Sequence, residues 1–105
     1  MELKVFWLQF AQDKLEDIYD YYKLKAGKKT ANKIVNGIVK ATVALTKQPE
    51  IGQVELSLSH RKIEYRYLVY TNYKIVYWIN LASSRVEISN VFDTRQDPIK
   101  IRSSK

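Results

Sequence analysis

Five side chains in the C-terminal half suit the recognition of an anionic ligand, or chemistry on one: Tyr65, Tyr67, Lys74, Trp78 and Arg95. Aromatic rings stack on bases, and Lys or Arg holds phosphates. Lys74 and Arg95 would also stabilise negative charge developing at a phosphorus centre. The same residues fit a second role. Tyrosine combines apolar area with a hydroxyl and is enriched at interfaces. A tyrosine-rich face buried by a partner or by the chain's own tail would carry the same residues, and residue types alone favour this interface reading.

Other chemistry is sparse. His60, the single histidine, stands beside Arg61 and Lys62 in a polar stretch. Its ordinary pKa suits a general base, but a lone loop histidine is more often solvated. Glu87 and Asp93 are a weak candidate pair for hydrolysis, which needs two carboxylates converging in a cleft. The sequence has no phosphate-binding glycine loop, no HExxH pair and no dinucleotide fingerprint. It has no cysteine, hence no disulfide, thiolate chemistry or Cys-based metal site. Neither cofactor nor metal is expected.

These residues must be positioned by the stretch from Ile63 to Asp97. It holds three runs rich in Tyr, Val and Ile: Lys62 to Tyr70, Tyr73 to Asn80 and Arg85 to Asp93. Such runs read as strands. Thr71-Asn72 and Ala82-Ser83 would close two hairpins, with Asn72 tolerating positive φ. The product is an antiparallel meander. Strict alternation then puts Ile75, Tyr77, Ile79, Val86, Ile88 and Phe92 on one face, assigned to the helices. Tyr65, Tyr67, Val69, Lys74, Val76, Trp78, Glu87, Ser89, Val91 and Asp93 fall on the other. A slip of one residue would swap the sides.

The preceding residues read as cover. Glu2 to Phe10 is a strand with two apolar faces, either buried on both sides or at an edge under a cover. Ala11 to Ala26 is a helix with the stripe Ala11, Leu15, Ile18 and Tyr22, and Gly27 ends it. Lys28 to Lys47 is a second helix with Thr30 as N-cap and a stripe through Ala31, Ile34, Ile38 and Leu45. Gly37 in its interior implies close packing against the first helix. A short join predicts a helical hairpin. Ile51 to Arg61 is polar and holds at most a short extended piece.

The whole is one domain over residues 1–98, with a basic tail at 99–105. The fold class is α+β: strand, two helices and three strands (βααβββ), the helical hairpin packed on one face of an antiparallel sheet. The 46% apolar content is that of a soluble globular protein. No signal peptide or membrane-spanning run is legible, and a chain without cysteine suits the cytoplasm. The formal charge of +7 favours anionic partners. The open face, with Val69, Val76, Trp78, Val91 and two tyrosines, is too apolar to stay wet. An acidic partner peptide is expected to cover it.

The segments EYRYLVYTNYKIVYWI and VEISNVFDTRQDP, following the acidic first helix AQDKLEDIYDYY, resemble the RelE/ParE superfamily of toxins from type II toxin–antitoxin systems. The resemblance covers nearly the whole chain and implies the same βααβββ fold. It also implies a growth-inhibiting toxin, neutralised in a hetero-oligomer by a cognate antitoxin that wraps its functional surface. RelE-like members cut mRNA in the ribosomal A site, using the RNA's own 2′-hydroxyl as nucleophile. ParE-like members poison DNA gyrase and need no nuclease site. By resemblance, Lys74 and Arg95 stand where RelE-like nucleases carry two catalytic arginines. The lysines of those nucleases fall at Tyr65 and Tyr67, however, and their C-terminal tyrosine falls near Ile101. No histidine follows Asp93 to replace it. Losing a general base or acid typically costs about 100-fold to 10,000-fold, and a phenol of pKa about 10 is a poor base at neutral pH. The FDTRQDP ending is also closer to ParE-like members. The resemblance therefore favours a gyrase-binding toxin. A ribosome-dependent mRNA interferase using Lys74 and Arg95 is the alternative, and an inactive toxin that only binds antitoxin is the third.

Overall fold

A computed structural model describes residues 2–58 and 60–95, apart from the side chain of Ser57. The tail at 99–105, with Ile101, lies outside the described residues. The order of elements is β1 (Lys4–Trp7), α1 (Gln9–Ala26), α2 (Lys28–Ala41), β2 (Gln53–Val54), β3 (Arg66–Tyr70), β4 (Tyr73–Asn80) and β5 (Arg85–Asp93). Short 3-10 turns at Val43–Thr46, Leu56–Leu58 and Leu81–Ser83 link them. The helical pair packs on one face of a sheet ordered β1-β5-β4-β3-β2. This is the expected α+β architecture, with two additions. β2 is the short extended piece in the polar stretch. β1 lies parallel to β5, Lys4 opposite Arg85 and Trp7 opposite Ile88, so the sheet is mixed rather than wholly antiparallel.

β1 is an edge strand and shorter than the apolar run suggested. Helix α1 begins at Gln9, with the Leu8 carbonyl accepting the Gln12 N–H at 3.0 Å and the Gln12 amide donating to the Trp7 carbonyl at 2.8 Å. Phe10 therefore belongs to the helix. Gly27 alone joins the two helices. Its φ of 95° suits a residue without Cβ, and it ends α1 and starts α2. Thr30 is thus inside α2 and does not cap it. Beyond Ala41 the α-helix gives way to a 3-10 turn: the Thr42 and Thr46 hydroxyls donate to the carbonyls of Val39 and Val43. Threonine offers this local alternative to the helical ladder.

The core lies between the helices and the sheet. Ala11, Ile38, Leu45, Ile75, Tyr77, Val86, Ile88 and Val91 are fully buried there, with Leu15, Ile18, Tyr22 and Ile34 against them. Both helical stripes point as the sequence predicts. Gly37 packs against the sheet and not against α1: a methyl there would overlap the Tyr70 ring. The Tyr77 hydroxyl reaches past the core, accepting the Gly52 N–H at 2.9 Å and donating to the Pro49 carbonyl at 2.7 Å. Arg66 donates to the Gly52 carbonyl at 2.9 Å. These bonds fasten the connection after α2 to the sheet.

Both hairpin registers agree with the sequence reading, Tyr70 facing Tyr73 and Asn80 facing Arg85. The positive φ in the first turn falls on Thr71, not Asn72. In the second loop it falls on Ser84, which closes the Leu81–Ser83 turn. Within β5 the register shifts. Tyr77 faces Ile88, but Val76 faces Asn90, so Ser89 is an extra residue, a β-bulge. Everything after it changes side. Val91 enters the helix-side core, Phe92 goes to the opposite face, and Asp93 joins Tyr73 on the helix side. This reverses the predicted sides of all three. The Ser89-Asn90 pair was the available signal: one inserted residue there restores the inward run Val86, Ile88, Val91.

Candidate functional site

The face of the sheet away from the helices carries most of the candidate residues. β4 turns Lys74, Val76 and Trp78 outward on alternate positions, and β3 turns Tyr67 the same way. Tyr65, just before β3, packs with Leu58, Val76 and Phe92 in a second small cluster, with Tyr67 and Trp78 against it. Leu58 and Tyr65 come from the connection between α2 and β3. That connection therefore covers much of a face expected to be open. Tyr65 is only 8% exposed and Val76 is buried, while Val69 at the margin stays 56% exposed.

Lys74 is held within this face. Its Nζ lies 2.8 Å from an oxygen of Glu55, a buried carboxylate, and 4.0 Å from the centre of the Tyr67 ring. The Tyr67 hydroxyl donates to Gln53 Oε1 at 3.0 Å. Glu87 is also buried on this side, bonded to Arg85 at 2.9 Å and to the Asn80 amide at 2.7 Å.

Arg95 is elsewhere. It follows β5 on the helix side, where its Nε and Nη2 clasp Asp93 at 2.9 Å and 2.5 Å. With Lys14, Ile18, Tyr21, Tyr22 and Tyr73 it lines a groove of about 350 Å³ between α1 and the end of β5. The Arg95 hydrogen bonds hold the Asp93 carboxyl well below the ordinary carboxylate range, and Asp93 in turn raises Arg95. Burial, then the bond to the Tyr22 hydroxyl at 3.3 Å, pushes the Tyr73 phenol far up, so it is neutral at any physiological pH.

The structure thus brings together Tyr65, Tyr67, Lys74 and Trp78 and leaves Arg95 on the other side of the sheet. Glu87 and Asp93 are divided in the same way, so they form no carboxylate pair. His60 is exposed beside Arg61, Lys62 and Tyr65. Glu55 is the residue that sequence reasoning missed. It lies in a polar stretch, and nothing in the sequence signals that this stretch folds back onto β4. Among the described residues no group of His, Asp or Glu is placed to hold a metal ion. No helix among them is long and apolar enough to cross a membrane.

Nothing among curated proteins matches this sequence. Solved structures do match the fold. A chromosomal ParDE toxin–antitoxin system from P. aeruginosa is 20% identical with a TM-score of 0.74, over 90% of this chain and 98% of that one. The RelBE2 toxin–antitoxin complex from Mycobacterium tuberculosis is 17% identical with a TM-score of 0.63, over 89% of this chain and 99% of that one. The decisive match is in sequence: the family model of the ParE toxin of the type II toxin–antitoxin system parDE spans residues 5–98. The chain belongs to the ParE toxin family of type II toxin–antitoxin systems.

Proposed function

We propose that this toxin acts in the cytoplasm by binding and poisoning DNA gyrase, and that a cognate antitoxin neutralises it in a hetero-oligomer. The observation that carries the binding reading is the engagement of both candidate catalytic cations. Lys74 is paired with Glu55, Arg95 with Asp93, and the sheet stands between them. Phosphoryl chemistry by these two residues would need both cations on one scissile phosphate. The absent lysines at Tyr65 and Tyr67 point the same way. Binding of a target protein needs no such convergence.

An antitoxin partner is supported by the similar structures, which come from a ParDE system and a RelBE2 complex. The charge of +7 suits an acidic antitoxin segment. Exposed Val69 leaves apolar area for it beside Tyr67 and Trp78.

The test is direct. Antitoxin-free toxin is added to DNA gyrase with plasmid and ATP. Accumulated linear DNA, suppressed by the antitoxin, is the expected result. Normally supercoiled plasmid at excess toxin would overturn the gyrase reading and move the target to the ribosome.

A further inference from the structure

Glu55 occupies a position that an external anion could fill. Its backbone is fixed at both ends: its N–H donates to the Tyr65 carbonyl at 2.8 Å, and its carbonyl accepts the Leu58 N–H at 3.1 Å. Its carboxylate lies 2.8 Å from Lys74 Nζ, which also sits over the Tyr67 ring. A cation with an oxygen at hydrogen-bond distance beside an aromatic wall is the arrangement that holds a strand phosphate next to a stacked base. Stability alone does not call for this pair. A buried ion pair is typically no better for folding than apolar residues of the same volume.

A second observation lies alongside. Ser89 Oγ and Asn90 Oδ1 are buried on the same sheet face with no hydrogen-bond partner among the described residues. Asn90 faces Val76, one pair along from Lys74. Unpaired buried polar atoms are costly. Here they stand ready for the hydroxyl and amide groups of a polar ligand.

We propose that Glu55 is a built-in inhibitor: it fills, from within the chain, an anion site formed by Lys74 and Tyr67 that otherwise takes a single-stranded phosphodiester. The site is present in the folded toxin and masked. It is separate from gyrase binding, so the two proposals fail independently.

The test uses the full chain and a fluorescein-labelled single-stranded decamer, as RNA and as DNA, read by anisotropy at low salt. Glu55→Gln is expected to tighten binding about 10-fold, the worth of one charge-assisted contact. Glu64→Gln removes the same charge from an exposed neighbour and is expected to change binding far less. Adding Lys74→Met to Glu55→Gln should abolish the gain. The RNA and DNA arms show which sugar the site prefers. Equal affinity for the Glu55→Gln and Glu64→Gln variants would overturn the proposal, as would a gain that survives loss of Lys74. Glu55→Met is the second variant should Glu55→Gln not fold. If neither folds while Glu55→Gln/Lys74→Met does, the pair is structural and the proposal falls.

Discussion

The two faces of this sheet are built on different principles. The helix side is apolar throughout, with Ile38, Leu45, Ile75, Val86, Ile88 and Val91 fully buried and Thr42 bonded back to its own helix. The far side has a smaller aromatic cluster, and buried charges stand within it: Glu55 with Lys74, and Glu87 with Arg85. Burial of apolar area is non-directional and supplies stability. Buried charge demands a partner in one geometry and contributes little net stability. One face therefore holds the fold, while the other holds particular side chains in place.

The largest effects should come from the helix side. Ile88→Ala is expected to cost about 3 to 4 kcal/mol in urea unfolding, since the site is enclosed on all sides. Leu58→Ala on the far side should cost about 2 kcal/mol, because a near-surface connection can collapse into the gap. Equal costs would break the contrast. Lys74→Met should cost about 2 kcal/mol by stranding the Glu55 carboxylate, and Glu55→Gln/Lys74→Met should recover most of it. A double-mutant cycle that closes to zero would show the charged pair to be energetically silent.

Two glycines sharpen the comparison at lower cost. At Gly52 a Cβ would meet the Tyr77 hydroxyl and the Tyr67 carbonyl, the latter at 2.7 Å. Backbone cannot swing aside, so Gly52→Ala should cost about 2 kcal/mol. At Gly37 the obstacle is only the tip of Tyr70. Its displacement is offset by alanine's helix propensity, and Gly37→Ala should fall within about 1 kcal/mol of wild type. Thermal melts of the two variants test this.

The smallest effect concerns Asp93. Its folded pKa lies below the ordinary 3.8, chiefly through the Arg95 hydrogen bonds. A depressed carboxyl contributes stability that is complete above its unfolded pKa and lost as pH falls towards the folded value. Melting temperatures from pH 6 down to pH 2 should therefore separate wild type from Asp93→Asn above about pH 4, and converge in acid. Arg95 is exposed, so the gap should be small and shrink with salt.

Much of the fold was legible in the sequence. β4 and β5 have the limits that their Tyr, Val and Ile runs imply, and both hairpin registers follow from short turns. The stripe Ala11, Leu15, Ile18 and Tyr22 faces the core, as its spacing requires. These features are local: period, propensity and turn length set them within a few residues. The site was less legible. Tyr65, Tyr67, Lys74 and Trp78 share a face because alternation puts them there, and alternation is in the sequence. Arg95 was grouped with them because one extra residue, Ser89, lay hidden in an otherwise regular strand.

Sequence by itself determined the order of elements, the apolar stripes and the family. Tertiary structure decided three things: the β5 bulge that moves Val91, Phe92 and Asp93 across the sheet, the folding of the Glu55–Leu58 segment onto β4, and the parallel docking of β1. Each depends on contacts between residues far apart in the chain. A bulge is fixed by which register buries more apolar area against the opposite layer, and a covering loop by the face that it finds. Neither quantity exists until the layers meet.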